Sequence, residues 1–133
     1  MTMISPNLKN ILRQSKFNVL PGVWSYLKVK NIPTGRHFMV TQDKDEITVV
    51  TQKEREIELD IIERNNDDRS LISLNVSVPF YSVGFLATIS SAIADAGIDV
   101  LIISTYSKDY ILVKQDSLIK VRSILNGLGL KEV

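Results

Sequence analysis

Two short stretches carry the residue types that could hold a small charged molecule. The first is Val83-Gly84-Phe85-Leu86, where a turn gives way to helical spacing. The first turn of a helix has unpaired N–H groups and the positive end of the dipole, and both suit a carboxylate. Gly84, with no Cβ, lets a ligand approach the backbone. The second stretch is Ser104-Thr105-Tyr106 followed by Asp109. Asp109 offers an ammonium a charged acceptor, and the carbonyls around Ser104 to Tyr106 offer neutral ones. The pair suits a small zwitterion. Ile103, Tyr106, Asp45 and Glu46 are candidates to sort the ligand by its side chain. Each residue also has an ordinary reading. Gly84 fits a turn before a helix, Asp109 fits a hairpin turn that bonds its own backbone, and Thr105 and Tyr106 fit a half-exposed strand.

The elements that must position these stretches follow from periodicity. Leu71 to Val78 alternates, with Ile72, Leu74, Val76 and Val78 on an apolar face and a mostly polar face opposite; Pro79 ends it. Gly84 to Ala96 carries a helical stripe of Phe85, Leu86, Ile89, Ala92, Ile93 and Ala96, read as core. Ser82 is the expected N-cap and Gly97 the expected left-handed stop. Ile98 to Thr105 and Tyr110 to Val113 form a hairpin around Ser107-Lys108-Asp109. Asp116 is placed to cap a last helix with Leu118, Ile119, Ile124, Leu125 and Leu128 inward, ended by Gly127 and Gly129, before a strand at Leu130 to Val133. The order β-α-β-β-α-β is a split βαβ unit of ferredoxin-like type.

The first half reads less sharply. Asn7 to Ser15 predicts a short helix, and Asn18 to Val29 predicts strands either side of Pro21-Gly22. Arg36 to Gln42 and Glu46 to Gln52 predict a hairpin, and Ile57 to Ile62 a further strand. Glu63 to Ser70 (ERNNDDRS) has no apolar residue and predicts an exposed connection, so the boundary is set between 1–66 and 67–133. TQDKDEITVV in the first half echoes TYSKDYILV in the second, weak evidence of duplication by itself.

The stretch VGFLATISSAIADAGIDVLIISTYSKDYILV, with Gly84-Phe85-Leu86-Ala87, Ala96-Gly97-Ile98, Ser104-Thr105-Tyr106 and Asp109-Tyr110, resembles the ACT domain superfamily. In particular it resembles the small tandem ACT-like proteins related to the amino-acid-sensing CASTOR group. Asp45-Glu46-Ile47-Thr48-Val49-Val50 is similar to a matching stretch of the same family. The resemblance implies an α+β fold of two tandem ferredoxin-like units, the first degenerate in its helices. It implies an amino-acid-binding regulatory role without catalysis, and a homodimer. It implies ligand contacts at Val83, Gly84, Phe85, Leu86, Ser104, Thr105, Tyr106 and Asp109. Phe85 departs from the usual Leu or Ile and brings bulk to the helix start. That bulk motivates the alternative of a ligand-free dimerisation or protein-interaction module.

Composition narrows the remaining classes. Of 133 residues, 16 are Lys or Arg and 15 Asp or Glu, a net charge of +1 that supplies no field for nucleic acid or an anionic membrane. No run reaches the roughly 20 apolar residues of a membrane span. MTMISPNLKNILRQ lacks a signal peptide's apolar core, and the absence of Cys fits a cytoplasmic protein. His37 is the sole histidine, so no zinc set is expected, and the acidic turn Asp43-Asp45-Glu46 reads as solvated. No cofactor motif, nucleotide-binding glycine loop or nucleophile elbow occurs, so no cofactor or catalytic residue is expected.

Overall fold

The computed structural model describes residues 6–78 and 82–133. In chain order the elements are α1 (Pro6–Gln14), β1 (Lys16–Val19), β2 (Trp24–Val29), β3 (Met39–Gln42), β4 (Ile47–Gln52), a 3-10 helix (Lys53–Glu58), β5 (Ile61–Arg64) and β6 (Arg69–Asn75). Then come α2 (Phe85–Asp95), β7 (Leu101–Ser104), β8 (Asp109–Lys114), a 3-10 turn (Gln115–Ser117), α3 (Leu118–Leu128) and β9 (Lys131–Glu132). The fold is α+β with ferredoxin-like units, and the chain divides into two of them. One is Met1–Leu20 with Ser70–Val133; the other is Pro21–Arg69.

This division differs from the 1–66 and 67–133 expectation. The reason is β1. In the larger unit β6, β7, β8 and β9 are the four strands of the βαββαβ repeat, and their sheet runs β7-β8-β6-β1-β9. β1 inserts between the first and fourth strands. It is antiparallel to β6, with Phe17 opposite Leu74 and Val19 opposite Ile72, and parallel to β9, with Lys16 opposite Lys131. A two-residue β9 gives the sheet little to hold; β1 supplies the missing ladder. α1 follows it into the same core, where Leu8, Ile11 and Leu12 join Phe17 and Ile72. Phe85, Ile89 and Ile93 of α2 and Val121 and Leu125 of α3 complete that layer, so the helices cover one sheet face.

The periodic reading of α2 holds, since its predicted stripe places Phe85, Ile89 and Ile93 in the core. Gly97 takes the left-handed conformation (φ 75°), and Ile98 N–H reaches back to Ile93 O at 3.3 Å, as a Schellman stop requires. Several expectations fail. Ser82 is not the cap: Gly84 occupies the N-cap position (φ 86°), and the Ser82 hydroxyl donates to Val78 O at 2.5 Å. On α3, Ile119 is 82% exposed and Val121 is buried instead, because 118, 121, 125 and 128 share one face. Gly127 lies inside α3 and Asp116 in the turn before it, leaving Gly129 (φ 113°) as the stop. The strand expected from Leu71 to Val78 ends at Asn75 and is buried on both faces, its Ser73 hydroxyl donating to Asn75 Oδ1 at 3.0 Å. The expected stop at Pro79 lies outside the described residues.

The smaller unit has the strand order β3-β4-β2-β5, antiparallel at every pair. That is the order of the ferredoxin-like repeat with both helices replaced. Residues 30–38 stand where the first helix would be. There His37 bridges Thr51 Oγ1 (2.9 Å) and Thr34 O (3.1 Å). The 3-10 helix stands where the second would be. Leu27, Val29 and Val49 form a small core with Ile47, Leu59 and Ile61. The strand expected over Ile57 to Ile62 therefore starts only at Ile61; Ile57 and Glu58 belong to the 3-10 helix, and Ile57 is 90% exposed.

The run Glu63 to Ser70 is not an exposed connection throughout. Glu63 and Arg64 close β5, and Arg69 and Ser70 open β6 with only 2% exposure each. Arg69 is tolerated there because Asn65 Oδ1 accepts from its Nε at 3.3 Å and Asp67 lies 3.6 Å from its Nη2. The polar letters that suggested solvent satisfy one another instead.

Candidate functional site

Both sequence-predicted stretches lie in the larger unit. The β7–β8 hairpin is closed by Ser104 opposite Asp109 and by Thr105 N–H donating to Lys108 O at 2.9 Å. The Ser104 hydroxyl donates to Asp109 Oδ1 at 2.7 Å. That bond orients the carboxylate and leaves its second oxygen available to a further donor.

The helix start is set by Gly84. Its positive φ turns the chain into α2, and a Cβ there would sit 3.3 Å from Leu8 Cδ2. Phe85 N–H is spent on Ser82 O at 3.1 Å, and Thr88 N–H closes the first turn onto Gly84 O at 2.9 Å. Among the described residues the amides of Leu86 and Ala87 have no backbone acceptor outside the helix. Donors at this terminus thus come from Leu86 and Ala87 rather than Phe85. The Phe85 side chain is 2% exposed and packs in the core, so it does not obstruct the helix start.

Helix start and hairpin face a common cavity of about 370 Å³. Val83, Phe85 and Leu86 line it from the helix side; Ser104, Thr105, Tyr106 and Asp109 line it from the hairpin. Gly84 shapes the turn without lining the space. Sequence reasoning missed Val76, Ser82, Ser107 and Lys108, which also line it. Lys108 could have been found, since it sits between two residues already singled out. The rim is open, and Val83 and Tyr106 stand out on it, 93% and 89% exposed.

The three other candidates for sorting a ligand side chain lie elsewhere. Ile103 is buried in β7 and does not line the cavity. Asp45 and Glu46 belong to the smaller unit, where their amides donate to Asp43 Oδ1 at 2.8 and 2.9 Å. Glu46 lines a separate cavity of about 230 Å³ with Tyr26, Lys28 and Glu63, and pairs loosely with Lys28 at 3.9 Å. Among the described residues no group of three or more His, Asp or Glu could hold a metal ion. No helix among them is long and apolar enough to cross a membrane.

Residues 66–127 match the family model described as ACT domain. No curated protein matches the sequence. Among solved structures, a Vibrio cholerae protein of unknown function, described as a possible transport protein, superposes with a TM-score of 0.77. Its identity is 20%, over 92% of this chain and 96% of that one. A structural-genomics target from Agrobacterium tumefaciens gives a TM-score of 0.73 at 21% identity, covering 90% and 92%. The ligand-free regulatory subunit of aspartate kinase from Thermus thermophilus gives 0.59 at 10% identity, covering 86% and 95%. At these identities the likeness is one of fold, shared with the regulatory subunit of that aspartate kinase.

Proposed function

We propose that this chain, whose residues 66–127 are an ACT domain, is a non-enzymatic regulator that binds a free amino acid in the cavity between α2 and the β7–β8 hairpin. The observation that carries the reading is convergence. Leu86, whose amide has no backbone acceptor among the described residues, and Asp109 line one cavity, so a carboxylate and an ammonium each meet their complement. Its volume of about 370 Å³ is ample for a single amino acid. Ligand binding acts as a signal by favouring the arrangement of hairpin and helix that grips it, which requires different affinities for the two arrangements. A cytoplasmic homodimer is the setting we propose for it.

A second reading has its own observation. Val83 and Tyr106 project from the rim almost fully exposed, as they would on a face that docks a protein without a ligand. Calorimetric titration of the full chain with each free amino acid separates the two. The binding reading expects heat from at least one of them, lost in Asp109→Ala. Silence from all of them at millimolar concentration overturns it and leaves the docking reading.

A further inference from the structure

Asp109 and Lys108 are the two charged side chains bordering the cavity. No ion pair joins them, and among the described residues the Lys108 ammonium has no carboxylate partner. Asp109 is engaged by Ser104 on one oxygen and faces the cavity. The cavity therefore offers one negative group and two positive ones, the helix start and Lys108. A simple zwitterion uses the helix start for its carboxylate and Asp109 for its ammonium. Lys108 is left over, and it meets whatever the ligand carries beyond its α-carbon.

We infer that Lys108 makes this site selective for amino acids with an acidic side chain and against those with a basic one. The inference rests on the amino-acid-binding reading above. An aspartate or glutamate presents two carboxylates and one ammonium, which matches the site's charges one for one. A lysine or arginine instead brings a second cation up to Lys108. A neutral side chain meets Val83, Leu86, Tyr106 and the neutral Ser and Thr side chains of the lining, with no charge preference either way.

The expected size follows from Coulomb's law. Lys108 is exposed, so screening is close to that of water. Two unit charges about 4 Å apart there change affinity about fivefold, upward for opposite signs and downward for like ones. The ratio of acidic to basic affinity is then roughly 25-fold at low ionic strength, and added salt compresses it.

The test is calorimetric titration of the full chain and of Lys108→Glu with L-aspartate, L-glutamate, L-leucine, L-lysine and L-arginine at low salt. Affinities are expressed relative to leucine. Lys108 lies in an exposed turn, so folding is not at stake, and circular dichroism checks it. The proposal expects acidic ligands to bind tightest to the natural chain and basic ligands tightest to Lys108→Glu. An unchanged order in Lys108→Glu, with amino acids still bound and Asp109→Ala still abolishing binding, overturns the selectivity and leaves the site standing. No binding by the natural chain overturns the site and the selectivity with it.

Discussion

Replacing Glu56 should loosen the smaller unit far more than replacing Arg64, although the two form one ion pair. Glu56 sits in the 3-10 helix that stands in for a helix of the repeat, its side chain 15% exposed. Its Oε1 accepts from Arg64 Nη2 at 2.6 Å and Nε at 2.8 Å, and its Oε2 accepts from the Ser25 hydroxyl. Arg64 is half exposed, so its side of the pair contributes about 1 kcal/mol or less. Ser25 is 6% exposed, so deleting the carboxylate strands a buried hydroxyl at a cost of about 1–3 kcal/mol. Together Glu56→Ala should cost about 2–4 kcal/mol and Arg64→Ala about 1 kcal/mol. The chain's sole tryptophan, Trp24, lies in the same unit, so urea titrations followed by its fluorescence report on that unit. The pH dependence adds a second check. Burial alone pushes the Glu56 carboxyl up, but hydrogen bonds from Ser25 and Arg64 and the charges of Arg64 and Lys53 outweigh it and hold the group below the ordinary range. A folded value below the unfolded one, about 4.3, means the stabilisation is complete above that pH and is lost as pH falls through the folded value. The gap between the natural chain and Glu56→Gln should therefore narrow in acid below about pH 4. Equal costs for the Glu56 and Arg64 variants, or a gap constant from neutral to acid, would refute this account of the clamp.

Two further predictions concern the larger unit. Gly84→Ala should cost about 1–2 kcal/mol for its left-handed backbone, plus a smaller amount for the Cβ meeting Leu8 at 3.3 Å. Gly97→Ala has the same backbone sign and nothing within 4 Å, so thermal denaturation should show it milder; equal losses would mean Leu8 yields freely. Ile89→Ala, at a fully buried position of α2, should cost about 2–5 kcal/mol, while Ile119→Ala, 82% exposed, should stay within about 0.5 kcal/mol. Similar midpoints for the two in urea would contradict the assignment of the helix faces.

Where the signal was local, the letters carried the structure. The stripe Phe85, Ile89, Ile93 and the hairpin around Lys108 lie within a few residues of the contacts they make, so spacing alone placed them. The failures share a different cause. β1 pairs with β6 across more than 50 residues, and no local pattern announces a strand that enters another repeat. Arg69 is buried because Asn65 and Asp67 answer it, and a polar run is silent about whether water or neighbours will do so. Ile57 opens the strand expected over Ile57 to Ile62, yet it falls in a 3-10 helix that leaves it exposed. Lys108 went unnoticed as a site residue because an exposed turn lysine is the commonest of all surface features.

The internal echo gains meaning once both strand orders are in view. Thr105-Tyr106-Ser107-Lys108-Asp109 and Thr41-Gln42-Asp43-Lys44-Asp45 both run through the turn between the second and third strands of a repeat. Ser107 in one is Asp43 in the other, and that exchange alters the turn. Asp43 Oδ1 draws in the amides of Asp45 and Glu46, so an acidic group there is consumed locally. Among the described residues the Asp109 carboxylate is engaged by Ser104 alone and keeps an oxygen for the cavity. The other half of the arrangement differs as well. After its first strand the larger unit begins α2, with unspent amides; after its own first strand the smaller unit has residues 30–38 without helical amides at all. A zwitterion needs both ends met at once. Duplicating the hairpin without the helix therefore duplicates the scaffold and not the site, which is why the chemistry argued for this protein falls in one of two units built on the same strand order.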